Sequence, residues 1–113
     1  MYSLKVLVLD GCPYCDNLIK LLDSNNIKTK YIVIPWNEKD KYKNSSIDTF
    51  PQVYMVKDID DTGVLIGGYS DVKNIIDLIE GRDLDSIKKI ISSKYSILSN
   101  KKQLRLIKVF TKT

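Results

Sequence analysis

The sequence predicts one α/β domain carrying an added basic, helical C-terminal extension. Three observations lead there. Apolar runs of strand character alternate with helical periodicity over residues 4–81. The only two cysteines, Cys12 and Cys15, stand at a strand-to-helix junction. The charge then changes sign between the body of the chain and its last third. At 113 residues and 43% apolar content, the chain has room for one domain with a modest core. No run approaches the ~20 apolar residues of a membrane span, and no membrane partner is expected. The N-terminus lacks the basic segment and apolar core of a signal peptide, so a cytoplasmic, reducing setting is expected.

Residues 4–9 read as a buried strand, and residues 13–24 as a helix with Pro13 in its first turn and Leu18, Ile19, Leu21 and Leu22 on its apolar side. Asn25-Asn26 ends that helix, and residues 29–34 are a second, β-branched run. After Pro35 comes a polar, lysine-rich stretch, residues 37–46, read as a short helix or partly helical loop. Residues 52–57 and 64–66 give two more strands, with Asp60-Asp61-Thr62-Gly63 as the hairpin turn between them. Gly67-Gly68 breaks the chain. Ser70 then caps a helix with apolar positions Val72, Ile75, Ile76 and Ile79. The order is β-α-β-α-β-β-α, without internal repeats.

Cys12-Pro13-Tyr14-Cys15 carries the chemistry. The first sulfur falls at a helix N-terminus, where unpaired backbone N–H groups and the helix dipole favour a thiolate. Cys15, one turn inward, is placed to close a disulfide with Cys12. A closed zinc site needs four N/S ligands, and this chain has no histidine and no third cysteine. No metal is expected in the monomer. A structural disulfide across so short a loop would constrain the unfolded chain little. A dithiol redox site is the reading that remains.

With Thr49-Phe50-Pro51-Gln52-Val53-Tyr54 and Ile66-Gly67-Gly68-Tyr69-Ser70-Asp71 following that pair in order, the sequence resembles the glutaredoxin family over roughly residues 3–81. The resemblance implies a thioredoxin fold, in which a four-stranded mixed β-sheet is flanked by helices. It implies a thiol–disulfide oxidoreductase with Cys12 and Cys15 catalytic, supported by Pro13, Tyr14 and Pro51. It implies a cis Pro51, with the Phe50 backbone turned outward toward a bound thiol peptide. Glutathione, as reductant and substrate, would lie on Tyr14, Phe50, Pro51, Ser70 and Asp71, the last accepting from the γ-glutamyl ammonium group. Disulfide-containing or glutathionylated proteins would be the partners. Two positions depart from the family pattern: Leu9 stands where a basic residue is usual, and Asp48 where Arg or Gln is common. Lys41 or Lys43 are the substitutes available nearby.

The alternatives are a thioredoxin-like enzyme reduced by a thioredoxin reductase, and a glutathione-ligated iron–sulfur cluster shared by two chains through Cys12. Pro13 and Tyr14 speak against the second. A third is an interaction module built on the extension.

Residues 82–113 form that extension, beyond a domain of residues 1–81. They carry +7 against −3 for the rest, within an overall +4. Leu84, Ile87, Ile90, Ile91 and Leu98 fit an amphipathic helix that docks on the domain, with Asp83 or Asp85 at its start. Residues 104–110 fit a strand or a short helix. The basic residues lack the aromatic interleaving of a nucleic-acid surface, and a monomer is expected.

Overall fold

The computed structural model describes residues 2–57 and 62–111. The chain runs β1 (Ser3–Leu9), α1 (Pro13–Ser24), β2 (Thr29–Ile34), a 3-10 helix (Trp36–Tyr42), β3 (Gln52–Val56), β4 (Val64–Gly67), α2 (Tyr69–Ile79), α3 (Leu84–Lys94) and α4 (Asn100–Thr111). The strands form one mixed sheet in the order β2-β1-β3-β4. β1 pairs parallel with β2, Leu7 opposite Ile32, and antiparallel with β3, Val6 opposite Val53. β3 and β4 pair antiparallel, Met55 opposite Val64. This is the thioredoxin fold expected from the sequence, with helices on the sheet and further helices at the C-terminus. Of the hairpin turn, Asp60 and Asp61 lie outside the described residues.

Burial explains why these segments hold together. Leu4 and Val6 of β1, Val53 and Met55 of β3, and Leu18 and Leu22 of α1 are at most 1% exposed. β1 is buried along nearly its whole length, as a central strand covered on both faces should be. α1 stops where Asn25 takes a non-helical conformation and Asn26 adopts a positive φ of 54°. The polar stretch resolves into the 3-10 helix, followed by a turn in which Asn44 Oδ1 accepts from the N–H groups of Ser46 and Ile47. Buried Gln52 ties this region to the sheet: its side-chain amide donates to the Tyr42 carbonyl (2.8 Å) and accepts from the Tyr54 hydroxyl (2.9 Å).

Two expectations about helix boundaries need correction. α2 begins two residues earlier than a Ser70 cap allows. Gly68 is its N-cap, and the Asp71 carboxylate reaches back to accept from the Gly68 N–H (2.9 Å), a capping contact that displaces Ser70 into the first turn. In the extension, the helix expected over residues 84–98 ends at Lys94 as α3, and of the two forms expected for residues 104–110 the helix is the one found, within α4. Asp83 caps α3, its carboxylate accepting from the Ser86 N–H (2.7 Å).

The pair is joined by a buried polar contact. Gln103 donates its side-chain amide to the carbonyls of Tyr95 (3.1 Å) and Leu98 (2.9 Å), satisfying groups that the end of α3 leaves open. Ile87, Ile91, Leu106, Ile107, Val109 and Phe110 join the same hydrophobic cluster as the sheet and α1. Leu84, expected to dock, is 47% exposed, and Leu104 is 44% exposed. Ile90 and Leu98 are only partly buried. The docking stripe is therefore narrower on α3 than the periodicity implies, and α4 supplies the rest.

Candidate redox site

The end of β1 and the start of α1 build the site. The chain leaves the sheet at Leu9 and turns through Gly11, whose φ of +73° suits glycine. Cys12 then becomes the N-cap of α1, with extended backbone (φ −93°, ψ 114°). Its sulfur does the work a serine or aspartate cap would do, accepting from the Cys15 N–H at 3.3 Å. As a thiol it also donates to the Phe50 carbonyl at 3.8 Å. Pro13 fills the first helical position, where no N–H is missed.

The two sulfurs stand in different surroundings. Cys12 is half-buried and Cys15 is 1% exposed. Cys15 Sγ accepts from the Leu9 N–H at 3.4 Å, a donor that sequence reasoning missed because a backbone group has no residue signature. Burial pushes the Cys15 thiol up to about 12, reinforced by its hydrogen bond to the Cys12 sulfur and by the charge there. Leu9 itself is a core side chain.

The Phe50–Pro51 bond is cis, and the loop it closes faces Cys12 through the Phe50 carbonyl. From there a groove of about 550 Å³ runs to the start of α2. Tyr14, Phe50, Pro51, Ser70 and Asp71, which the sequence singled out separately, all line it. Tyr14, 62% exposed, leans on Tyr69 with ring centroids 5.9 Å apart. Gly67 is required at the far wall: its φ is +138°, and a Cβ there would overlap the Asp71 carboxylate. Ile47 and Leu65 also line the groove without any motif to announce them. Asp48 lines it too, whereas Lys41 pairs with Glu38 (3.0 Å) and Lys43 with Asp40 (3.2 Å), and neither is among the lining residues.

An arrangement of this kind can exchange disulfides. It offers one accessible sulfur hydrogen-bonded at a helix start, a second shielded behind it, and an adjoining groove for whatever carries the substrate sulfur. Comparisons with known proteins agree. The Glutaredoxin family model matches residues 1–60. The crystal structure of glutaredoxin 1 from Francisella tularensis, complexed with cacodylate, superposes with a TM-score of 0.56 at 27% identity. The match covers 73% of this chain and 100% of that one, so part of the present chain has no counterpart there. No curated protein matches the chain. With the family model covering more than half of its length, the chain belongs to the glutaredoxin family and is a thiol–disulfide oxidoreductase.

Proposed function

We propose that this chain is a dithiol glutaredoxin that reduces protein disulfides and glutathione mixed disulfides, with glutathione as its reductant. The observation that carries the reading is the asymmetry of the two sulfurs beside the groove. Cys12 is accessible and its sulfur is hydrogen-bonded by the Cys15 N–H, while Cys15 is buried and held as a thiol.

Cys12, as thiolate, attacks one sulfur of the substrate disulfide. That S–S bond breaks, the leaving thiolate takes a proton from water, and Cys12 is left in a mixed disulfide. Cys15 then gives up its proton and attacks the Cys12 sulfur, releasing the second thiol and closing the Cys12–Cys15 disulfide. Two electrons have passed to the substrate. Two glutathione molecules return the dithiol and leave as glutathione disulfide.

The second step is helped by the first. A mixed disulfide on Cys12 carries neither the sulfur charge nor the thiol acceptor that hold the Cys15 proton, so burial and the charge of Asp16 are what still resist its ionisation. For glutathione itself, the start of α2 offers backbone N–H groups to the γ-glutamyl carboxylate. Asp71 faces the neighbouring ammonium: a carboxylate has about four acceptor sites, and the Gly68 N–H takes one.

The groove also keeps the thioredoxin-reductase alternative open, because Asp48 stands in the wall that would meet the glycine carboxylate of glutathione. The test is a disulfide-exchange assay on glutathionylated and protein-disulfide substrates, run with either reductant. Cys15→Ser should keep part of the deglutathionylation activity, since glutathione can replace the resolving thiol, and lose most protein-disulfide reduction. Cys12→Ser should lose both. Loss of deglutathionylation in Cys15→Ser would refute the glutaredoxin mechanism.

A further inference from the structure

We infer that the groove beside Cys12 selects disulfide partners carrying positive charge next to their cysteine; the inference rests on the redox reading above. Among the described residues lining the groove, the charged side chains are Asp48 and Asp71, and there is no Lys or Arg. Both carboxylates are exposed. The basic side chains closest to Asp48 along the loop are held in ion pairs on the 3-10 helix, Lys41 with Glu38 and Lys43 with Asp40. Position 9 adds none, because Leu9 is packed in the core. The start of α2, which attracts anions, already faces the Asp71 carboxylate, which takes the Gly68 N–H.

A γ-glutamyl group brings its own ammonium to this place and is tolerated. A protein segment brings only its side chains. Lys or Arg flanking the reactive cysteine gains from both carboxylates, and Glu or Asp is repelled by both. The chemistry is unchanged: Cys12 attacks the partner's disulfide, the bond breaks, and two electrons pass to the partner as the Cys12–Cys15 disulfide closes. Charge enters through docking, so it acts on the second-order rate constant.

The experiment uses two octapeptides, each with one cysteine flanked on both sides by Lys or by Glu, presented as mixed disulfides with 2-mercaptoethanol. The full-length reduced protein is mixed with each, and peptide thiol release is followed by chromatography. Each rate is divided by that of dithiothreitol on the same peptide, which cancels intrinsic reactivity. The Lys peptide should react about tenfold faster than the Glu peptide at low salt, a ratio set by a few charge pairs in water-like dielectric. At 1 M salt, where the screening length is ~3 Å, the ratio should fall toward one. Asp48→Lys should lower the low-salt ratio at least about fivefold, and since both rates come from the same protein, a general loss of activity cancels. Equal rates for the two peptides at low salt, or an unchanged ratio in Asp48→Lys, overturn the inference. Neutral hydroxyethyl disulfide separates the two levels. If wild type reduces it while the peptides react equally, only the charge selection fails; if wild type does not reduce it, the redox reading fails.

Discussion

In the Cys12→Ser protein, Cys15 should resist alkylation at neutral pH far more than a free cysteine does. In wild type its thiol is pushed up to about 12, burial being the first cause, and burial survives the substitution while the Cys12 hydrogen bond and charge do not. The full wild-type value would leave about 10⁻⁵ of it as thiolate at pH 7, against roughly 3% for a free cysteine of pKa ~8.5, so about 3,000-fold is the ceiling of the deficit in Cys12→Ser. A more basic thiolate is also a better nucleophile. With a Brønsted slope of about 0.4–0.5 this recovers some 25- to 55-fold, which lowers the ceiling to about 100-fold. Exclusion of the reagent from a sulfur that is 1% exposed adds to it. Intact-mass kinetics with iodoacetamide measure the rate directly. In the folded protein it should be at least about tenfold below that of the same protein in denaturant, and should climb about tenfold per pH unit from pH 7 to 9. In wild type, Cys12 should be the residue modified first. Alkylation of Cys15 in folded Cys12→Ser at the rate of a free thiol, or ahead of Cys12 in wild type, would refute the assignment of the two sulfurs.

Two predictions concern stability. Ile91→Ala, at a side chain 1% exposed, should cost about 2–5 kcal/mol, which a thermal melt would register as a drop of roughly 10 °C or more, while Leu84→Ala, 47% exposed, should stay within about 0.5 kcal/mol. Equal effects would mean that α3 docks through a different face. Alkaline pH should destabilise the fold. Cys15, Tyr31 and Tyr95 all hold their protons more tightly folded than unfolded, each pushed up to about 12, so above pH ~9 the unfolded chain releases protons that the folded one keeps. The urea midpoint should be level from pH 7 to about 9 and then decline as these groups ionise in the unfolded chain. A midpoint unchanged to pH 11 would contradict this.

What the sequence disclosed depends on how local the cause was. Cys12 and Cys15 could be placed because a strand, a proline at a first helical turn and a short spacing determine their setting within a dozen residues. The strands were legible for the same reason, since β1 and β3 are nearly continuous apolar runs. The start of α2 was misplaced because Ser70 is a good cap in isolation, and only the backward reach of Asp71 to Gly68 makes the helix begin earlier. The end of α3 at Lys94 was hidden because Leu98 continues the helical rhythm of Ile87, Ile90 and Ile91 past it, although a separate element after Asn100 was read. Past that end Gln103 reaches back from the next helix to the Tyr95 and Leu98 carbonyls. Glutamine carries no pattern that announces this. The pairing of Lys41 and Lys43 was equally invisible, since spacing shows which charges are near in sequence and not which way they point.

The extension bears on the site through Tyr95. That residue packs against the core, and the charge of Asp71 contributes to holding its hydroxyl protonated, so the end of α3 lies within electrostatic reach of the groove wall. Cys12 has a separate footing on β1 and α1, and its hydrogen bonds run to Cys15 and Phe50. The sulfur and the groove share α1, which carries Tyr14, and the Phe50 carbonyl, while the far wall of the groove is the start of α2. Helix α2 is in turn packed by α3 and α4, whose buried side chains belong to the common core. Packing of α3 therefore has a route to Asp71 and the α2 start through this shared core.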